Sequence, residues 1–585
     1  MEKYYIQVEA VNLVHVVADT HDISTIRGGS FLLLDVIERL TDRFTTRLEK
    51  ITTAASQGLF VLKEGGDRGR IEADILSFLR ERTGGHATFL VAIEPDIPDN
   101  FALVLERLQA QIRRKQWRMP TVAVPEHADA EEECYLDGWR PGTAYYSVDG
   151  EESGAKISAA TKFRRERGVR LKHQLMERIL RDRTYGDDLN ARDLGELATH
   201  PGMGGLNGKI AYIHVDGNSF GRIRRALCTT PEARRAFDKQ IQAGCREPFL
   251  RELLARIDGD SDFVTVDRHG KQARRLEVLL WGGDEMTLIV PAWRGWQTLA
   301  LFYQHARNLT FQGVELSHRA AIIFSHHNTP ILQIRRIADE LLALARGNIK
   351  TRVTEAVQRE AARDGIDAKD KQQVLEWLAS HRHGNAVHYL ALESFDMLRG
   401  SLMGMLKVYY KNPVFEKMLL YADALEETLD DLKLIQASVP RGKVLRVIDA
   451  LQKEYLFSFT PNPTDQVTER LDEGKLPVAL NNQLQARKYI TLAASAVITT
   501  DPIRRRWTVR AEGTGYVICE QQRTLHVYRQ RDDEQLAPLG KEVLASVAPT
   551  KMAQVRGALD RMLAAEADHW YWIADLWDYV PEWKA

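Results

Sequence analysis

Cysteine is scarce in this chain. There are four in 585 residues, Cys134, Cys228, Cys245 and Cys519, and no two stand at metal-ligand spacing. That leaves no basis for a disulfide framework or a thiolate zinc site. No stretch approaches the ~20 apolar residues of a membrane-spanning helix. The amino terminus, Met-Glu-Lys-Tyr-Tyr, has no signal-peptide pattern. Charge of one sign is lacking too, since 80 Lys and Arg face 81 Asp and Glu. So balanced a chain has no global field for a polyanion, and any contact with nucleic acid must come from local patches. No low-complexity tract interrupts the sequence. The expectation is a soluble, cytoplasmic protein without membrane partners, and length allows about three or four domains.

What is present is concentrated in three segments. The first is Leu280-Trp281-Gly282-Gly283-Asp284-Glu285, between the apolar runs 275–280 and 286–290. This is the pattern of a β-hairpin whose turn carries two carboxylates. The glycines leave room for a ligand against the backbone. Gly-Gly-Asp is also an ordinary turn, so the same letters are open to a purely structural reading. The second segment is 209–221. Ile210 to Val215 reads as a buried strand, Asp216 falls at its end, and Gly217 to Gly221 lead into a helix beginning near Arg222. Asp216 is either a helix N-cap or a metal ligand; Asn218 or Ser219 could serve as the cap and leave it free. The third is the strand Ser317 to Ser325, then His326 to Pro330, then a helix from Ile331 to Arg346. Its apolar residues recur at helical spacing, with Pro330 where a first turn tolerates it.

In this order, strand-Asp, Gly-Gly-Asp-Glu hairpin, then strand-x-x-x-Thr-Pro-Ile-helix, the chain resembles the palm domain of GGDEF diguanylate cyclases and of the large subunit of type III CRISPR effector complexes. The likeness to the CRISPR polymerase family is the closer one. It extends through Ala320 to Ile331, Ala338-Asp339-Glu340-Leu341-Leu342, Val439 to Leu445, and Ile26-Arg27-Gly28-Gly29-Ser30-Phe31 near the start.

The resemblance implies an α+β protein with two ferredoxin-like palm domains, the first degenerate and the second catalytic, a helical bundle, and a small C-terminal α+β domain. The expected boundaries are 1–125 for the first palm and 126–204 for a linker with a basic helix. Then come 205–400 for the catalytic palm, 401–456 for the bundle and 457–585 for the rest. In the first palm Phe31 to Ile51 reads as a helix, and the hairpin position near 56–62 has no paired acids. This domain is expected to shape half of a composite site without metal ligands. The insertion 222–262 reads as helical, and Ala386 to Leu392 as a last strand. Lys162 to Arg183 holds nine Lys or Arg against three acids, either a phosphate-binding face or a solvated helix. Cys134 to Pro141 is similar to the zinc knuckle of relatives with one thiol left, so no structural zinc is expected. His21-Asp22 stands alone, which argues against a nuclease domain of the HD type.

By the same resemblance Asp216, Asp284 and Glu285 are the catalytic residues. Two Mg2+ or Mn2+ ions are expected on Asp216, Asp284, Glu285 and the Gly217 carbonyl. Gly217, Asn218, Ser219, Phe220, Gly221, Gly282, Gly283 and Arg346 are expected to bind the nucleotide. The implied reaction converts ATP to a cyclic oligoadenylate. Guide or target RNA and other effector subunits are the implied partners. The alternatives are a diguanylate-cyclase-like enzyme using GTP, and a catalytically inert scaffold subunit.

Overall fold

The computed structural model describes residues 3–394, except 55, 64–67, 119–131, 149–150, 181–189, 267–269 and most of 357–383. Beyond them it describes parts of 402–459, 515–529 and 543–580. The chain is α+β. It divides into two compact units, residues 1–395 with 419–425, and 396–418 with 426–585.

The first unit opens with β1 (Tyr4–Val11), buried along its whole length. Helices α1 (Val14–Val17) and α2 (Ile23–Arg43) follow. The Asp22 carboxylate caps α2 by accepting the Thr25 amide at 2.8 Å. Next come β2 (Leu48–Ala54), β3 (Gln57–Leu62), α3 (Arg68–Thr83), β4 (Thr88–Pro95) and α4 (Phe101–Arg118). The strands lie in the order β2-β3-β1-β4, with antiparallel neighbours. The helix expected to reach Ile51 ends at Arg43, because the β-branched run Ile51-Thr52-Thr53 pairs into β2 instead. On α4, Phe101, Val104, Leu108 and Ile112 share one stripe and pack over Tyr5, Leu59, Val61 and Leu90.

A hairpin of β5 (Ala144–Val148) and β6 (Glu151–Ile157) then leads into α5 (Ala159–Leu180). The turn before it is organised by the buried Asp137 carboxylate. It accepts the amides of Arg140 at 3.0 Å and Trp139 at 3.2 Å, and the hydroxyls of Ser158 and Thr161, both at 2.9 Å. Burial alone would raise this carboxyl, but these donors outweigh it and hold it below its usual range. The lone thiol, Cys134, is buried and donates to the Thr161 hydroxyl at 3.7 Å.

Three of the six described basic side chains on α5 pair with acids distant in the chain. Arg164 pairs with Asp19 at 2.7 Å, Arg165 with Asp22 at 2.5 Å, and Lys172 with Glu277 at 2.8 Å. The Arg178 side chain and residues 181–183 of that run lie outside the described residues.

After α6 (Leu194–Ala198), the second sheet of this unit begins with β7 (Lys209–Gly217). Helices α7 (Phe220–Leu227), α8 (Pro231–Ile241) and α9 (Glu247–Asp258) form the helical insertion. Two short strands, β8 (Val264–Val266) and β9 (Gln272–Arg274), precede the hairpin of β10 (Glu277–Gly282) and β11 (Glu285–Pro291). Then come α10 (Gly295–Ala306), the small pair β12 (Thr310–Phe311) and β13 (Val314–Glu315), and β14 (His318–His326). Helix α11 (Ile331–Ala356), β15 (Ala386–Leu392) and β16 (Leu420–Tyr421) close the unit. The strand order is β10-β11-β7-β14-β15-β16.

Strands β7, β10, β11 and β14 thus repeat the connectivity and order of β1, β2, β3 and β4. Both sets are the βαββαβ arrangement of a ferredoxin-like sheet. Strand β15, expected as the last of the four, lies outside them. It runs parallel to β14 after the α11 crossover, and β14 itself completes the four-stranded set.

Helices α2 and α5 cross almost backbone to backbone. A Cβ built on Gly28 would stand 1.9 Å from the Arg164 carbonyl oxygen, and one on Gly168 would stand 2.7 Å from that of Ser24. Both obstacles are backbone, so neither can swing aside. Gly28→Ala is therefore expected to cost roughly 1–3 kcal/mol, the usual penalty of overpacking. Denaturant unfolding checks this, with Gly205→Ala as control, since no atom lies within 4 Å of a Cβ there. Equal midpoints for the two variants would contradict the close crossing.

In the second unit, which also holds α12 (Leu425–Gln436) and α14 (Met552–Leu563), α13 (Arg441–Glu454) packs against α15 (Trp570–Leu576). Arg561 binds Asp431 through Nε at 2.9 Å, and Gln436 donates to the Trp577 carbonyl. Apart from 419–425, which belong to the first unit, the stretches 401–456 and 457–585 fall, where described, in this one unit. Among the described residues no helix is long and apolar enough to cross a membrane.

Candidate functional site

The hairpin that carries the acids is tight. Gly282 pairs with Glu285, so Gly283 and Asp284 form a two-residue turn. Gly283 has φ +56°, while Asp284 is not in the left-handed region. Glycine at the first turn position is what a type II′ turn requires. Gly282 belongs to β10, so only one of the two glycines makes the bend.

Strand β11 pairs with β7 in a register that sets Met286 against Val215 and Thr287 against His214. The recorded pairs end there; continuing the same register one step would bring Glu285 opposite Asp216, with Asp284 in the turn beyond. Paired residues share a face of the sheet. Accordingly His214 Nδ1 meets Thr287 Oγ1 at 2.7 Å on the face that carries Asp216 and Glu285. Glu285 is exposed at the tip of β11, yet partial desolvation of its carboxyl against the neighbouring elements, then the adjacent Asp284 charge, raises it above its ordinary range.

Asp216 is not a helix cap. It lies within β7, and its carboxylate pairs with the guanidinium of Arg319, its Cα partner on β14. Arg319 is buried, donates to Asn218 Oδ1 at 3.0 Å, and keeps one Nε without a partner. Burial, with Arg346 nearby, lowers its pKa to about 10. Among the described residues, no group of three or more His, Cys, Asp or Glu side chains is gathered as a metal cage.

The residues expected to bind nucleotide are distributed around this core. Gly217 has no room for a Cβ, which would meet the Phe220 ring at 2.6 Å. The Phe220 ring is an anchor, 3% exposed and in edge contact with Phe237 and His318. The Asn218 amide group donates to the Gly384 carbonyl at 2.6 Å and the Ser317 hydroxyl at 3.2 Å, which ties the β7 end to the β14–β15 side. Ser219 occupies the N-cap position of α7 at φ 59°, without a side-chain cap, and the helix begins at Phe220 rather than near Arg222. Gly221 faces open space. Arg346 is exposed on α11, within electrostatic reach of Arg319.

Two side chains that the sequence reading passed over shape the site. Arg246 lies in the π-helical turn Gln242–Arg246, a local device common at functional positions. Its guanidinium donates to the carbonyls of Gly283 at 2.6 Å and Glu285 at 2.8 Å, and it covers the Trp281 ring at 4.4 Å. It clamps the turn from behind. Asp238 on α8 lines the same small cavity as Asp284, Arg224 and Thr53. Burial pushes its carboxyl up to about 6 against the pull of Arg224, Arg234 and Lys50. A neighbouring cavity of about 410 Å³ is lined by Lys50, Thr52 and Thr53 of the first sheet and by Gly282 and Gly283 of the second. The hairpin tip therefore faces the first ferredoxin-like sheet across a hollow that both contribute to.

No protein-family profile and no curated protein matches the chain. Solved structures do. The Csm1–Csm4 cassette in complex with cA4 matches with TM-score 0.38 and 12% identity, over 59% of this chain and 53% of that one. The cassette with one ATP gives TM-score 0.37, and the apo cassette 0.36, both at 12% identity over 59% of this chain and 53% of the other. The chain spans about half the length of the solved chains it matches. The likeness is slight, and the functional reading rests on the residues.

Proposed function

We propose that this chain is a palm-type, metal-dependent nucleotidyltransferase that converts ATP to a cyclic oligonucleotide messenger, in antiviral defence of the type III CRISPR kind. The observation that carries this reading is the register of β7 and β11. It sets Asp216 and Glu285 on one face of adjacent strands and Asp284 at the turn beside them. The first sheet, whose hairpin has no acids, supports the role of a silent partner, since Lys50 and Thr53 line the hollow that the turn faces.

The donor types suit magnesium or manganese, because carboxylates and the Gly217 carbonyl are hard oxygen ligands; an ion would have to draw Asp216, Asp284 and Glu285 closer together than they stand without it. Desolvation and the adjacent Asp284 charge raise the Glu285 carboxyl, and a cation between the two acids would relieve that repulsion. Bound there, the ions would neutralise a triphosphate and acidify an acceptor hydroxyl. The chain's own residues prepare the site. Arg246 fixes the turn by its two carbonyl contacts. The start of α7 offers amides to phosphate oxygens. Arg346 adds positive charge on the α11 side. Guide or target RNA and other effector subunits are the partners this proposal includes.

A second reading, an inert scaffold, is favoured by one observation: the Asp216 carboxylate already has a cation, Arg319. Each of the four labelled nucleoside triphosphates, supplied with Mn2+, separates the readings. The wild type is expected to turn over ATP to a phosphatase-resistant cyclic product, and Asp284→Ala to form none while folding normally. Turnover of GTP alone would indicate a diguanylate-cyclase-like enzyme. Turnover of none, in full-length protein with RNA present, would favour the scaffold.

A further inference from the structure

A third cavity, far larger than the one at Asp284, lies where the end of β1 meets the end of α3. It measures about 660 Å³ and shares no lining residue with the hollow around the hairpin. Small-molecule sites fall in this size range. Its walls come from three places in the chain: the end of β1, the end of α3 with its Gly84-Gly85-His86 turn, and the Trp139-Arg140-Pro141 corner. The first turn of α5, Ser158 to Ala160, closes it.

The walls offer flat surfaces. The Trp139 indole is 36% exposed, has the Arg140 guanidinium 3.9 Å from its centroid, and meets the His15 ring edge-on at 5.5 Å. The His86 imidazole is backed by Phe163 at 5.2 Å. Burial and the arginines at 164, 140 and 167 lower its pKa, so it stands as a neutral donor and acceptor in a positive field.

The walls also offer positive charge. Arg80 lines the cavity with no ion-pair partner among the described residues, and Glu81 is the one carboxylate in the lining. The start of a 22-residue helix adds the positive end of its dipole. A flat aromatic wall, a neutral imidazole and an unpaired guanidinium together select an aromatic heterocycle that carries an anion.

We propose that this cavity binds a nucleoside phosphate, with the base against Trp139 and the phosphate toward Arg80. Ring stacking tolerates any base. The same chemistry is offered by a free nucleotide and by the phosphorylated end of a single strand. The inference does not depend on the hairpin site, because no residue is shared.

The test uses full-length protein carrying Asp284→Ala, which removes the hairpin site from the measurement. Binding of AMP, adenosine, and a short single-stranded RNA with a 5′ phosphate is followed by calorimetry. AMP is expected to bind as well to this variant as to the wild type, and adenosine more weakly. Adding Arg80→Glu should weaken AMP binding about tenfold or more, the worth of one charge-assisted hydrogen bond. Trp139→Phe should retain binding and Trp139→Ala should lose it. Both side chains are at the surface, so an unchanged unfolding midpoint is the fold control. RNA binding tighter than AMP assigns the site to a strand end, and equal binding to a free nucleotide. Absence of AMP and RNA binding in the Asp284→Ala protein, or indifference to Arg80→Glu, overturns the proposal and leaves the hairpin reading untouched.

Discussion

Glu277→Ala is expected to destabilise the first unit by about 3–5 kcal/mol, the cost of breaking a buried ion pair from one side. Glu277 opens β10, and its carboxylate accepts from Arg27 of α2 at 2.7 Å and Lys172 of α5 at 2.8 Å. All three side chains are at most 7% exposed. Removing the acid leaves two buried cations facing each other with nothing between them. Replacing all three by apolar residues of similar volume is expected to cost far less, because no charge is then stranded. The pairing also sets a pH dependence. Burial would raise the Glu277 carboxyl, but Arg27 and Lys172 outweigh it and lower the pKa. A depressed carboxylate contributes stability above its unfolded value of about 4.3, and that contribution is lost as pH falls below it. Denaturant unfolding of the wild type and the alanine variant at pH 7 and near pH 3 checks both statements. The gap between them should shrink in acid. A constant gap would mean that the triad is not the source of the stability. The same variant reports on function, since β10 ends in the acid-bearing turn and has its other end fixed by this triad.

How much of this was legible in the sequence depends on how local the determinants are. The hairpin, the strand ending at Asp216 and the helical insertion follow from periodicity and turn chemistry within short windows. All three stand in the structure, with α7 starting two residues early. The basic run of α5 shows the opposite case. Its spacing allowed a phosphate-binding face, yet its partners Asp19, Asp22 and Glu277 lie 145, 143 and 105 residues away. Nothing local announces them. Gly28 and Gly168 likewise make sense only once α2 and α5 cross. Arg246 could have been suspected, since an arginine near the end of a polar helix is unusual when fully buried, but burial itself is a tertiary fact. Arg319 was hidden for another reason. In Ser317 to Ser325 it reads as one polar residue in an apolar strand. Only the register of β14 against β7 sets it opposite Asp216.

That opposition yields the second large expected effect. Arg319 holds a buried unit charge against the carboxylate that would carry a metal ion. Two unit charges about 5 Å apart interact by roughly 3 kcal/mol at an effective dielectric constant near 20, and a divalent ion feels more. Arg319→Met should therefore tighten Mn2+ binding on the order of a hundredfold. It should also lower the stability of the metal-free protein, because Asp216 then has no counter-charge, and Mn2+ should restore that stability. Calorimetric titration with Mn2+ and the unfolding midpoint with and without the ion measure both, with no need for turnover. If the wild type binds Mn2+ and the variant binds it more tightly, Arg319 is an internal counterion that an incoming metal displaces. If only the variant binds, the guanidinium has taken the metal's place, and the inert reading of the hairpin gains its physical cause. If neither affinity changes, the arginine does not face the ion, and Asp216 must be removed from the proposed ligand set.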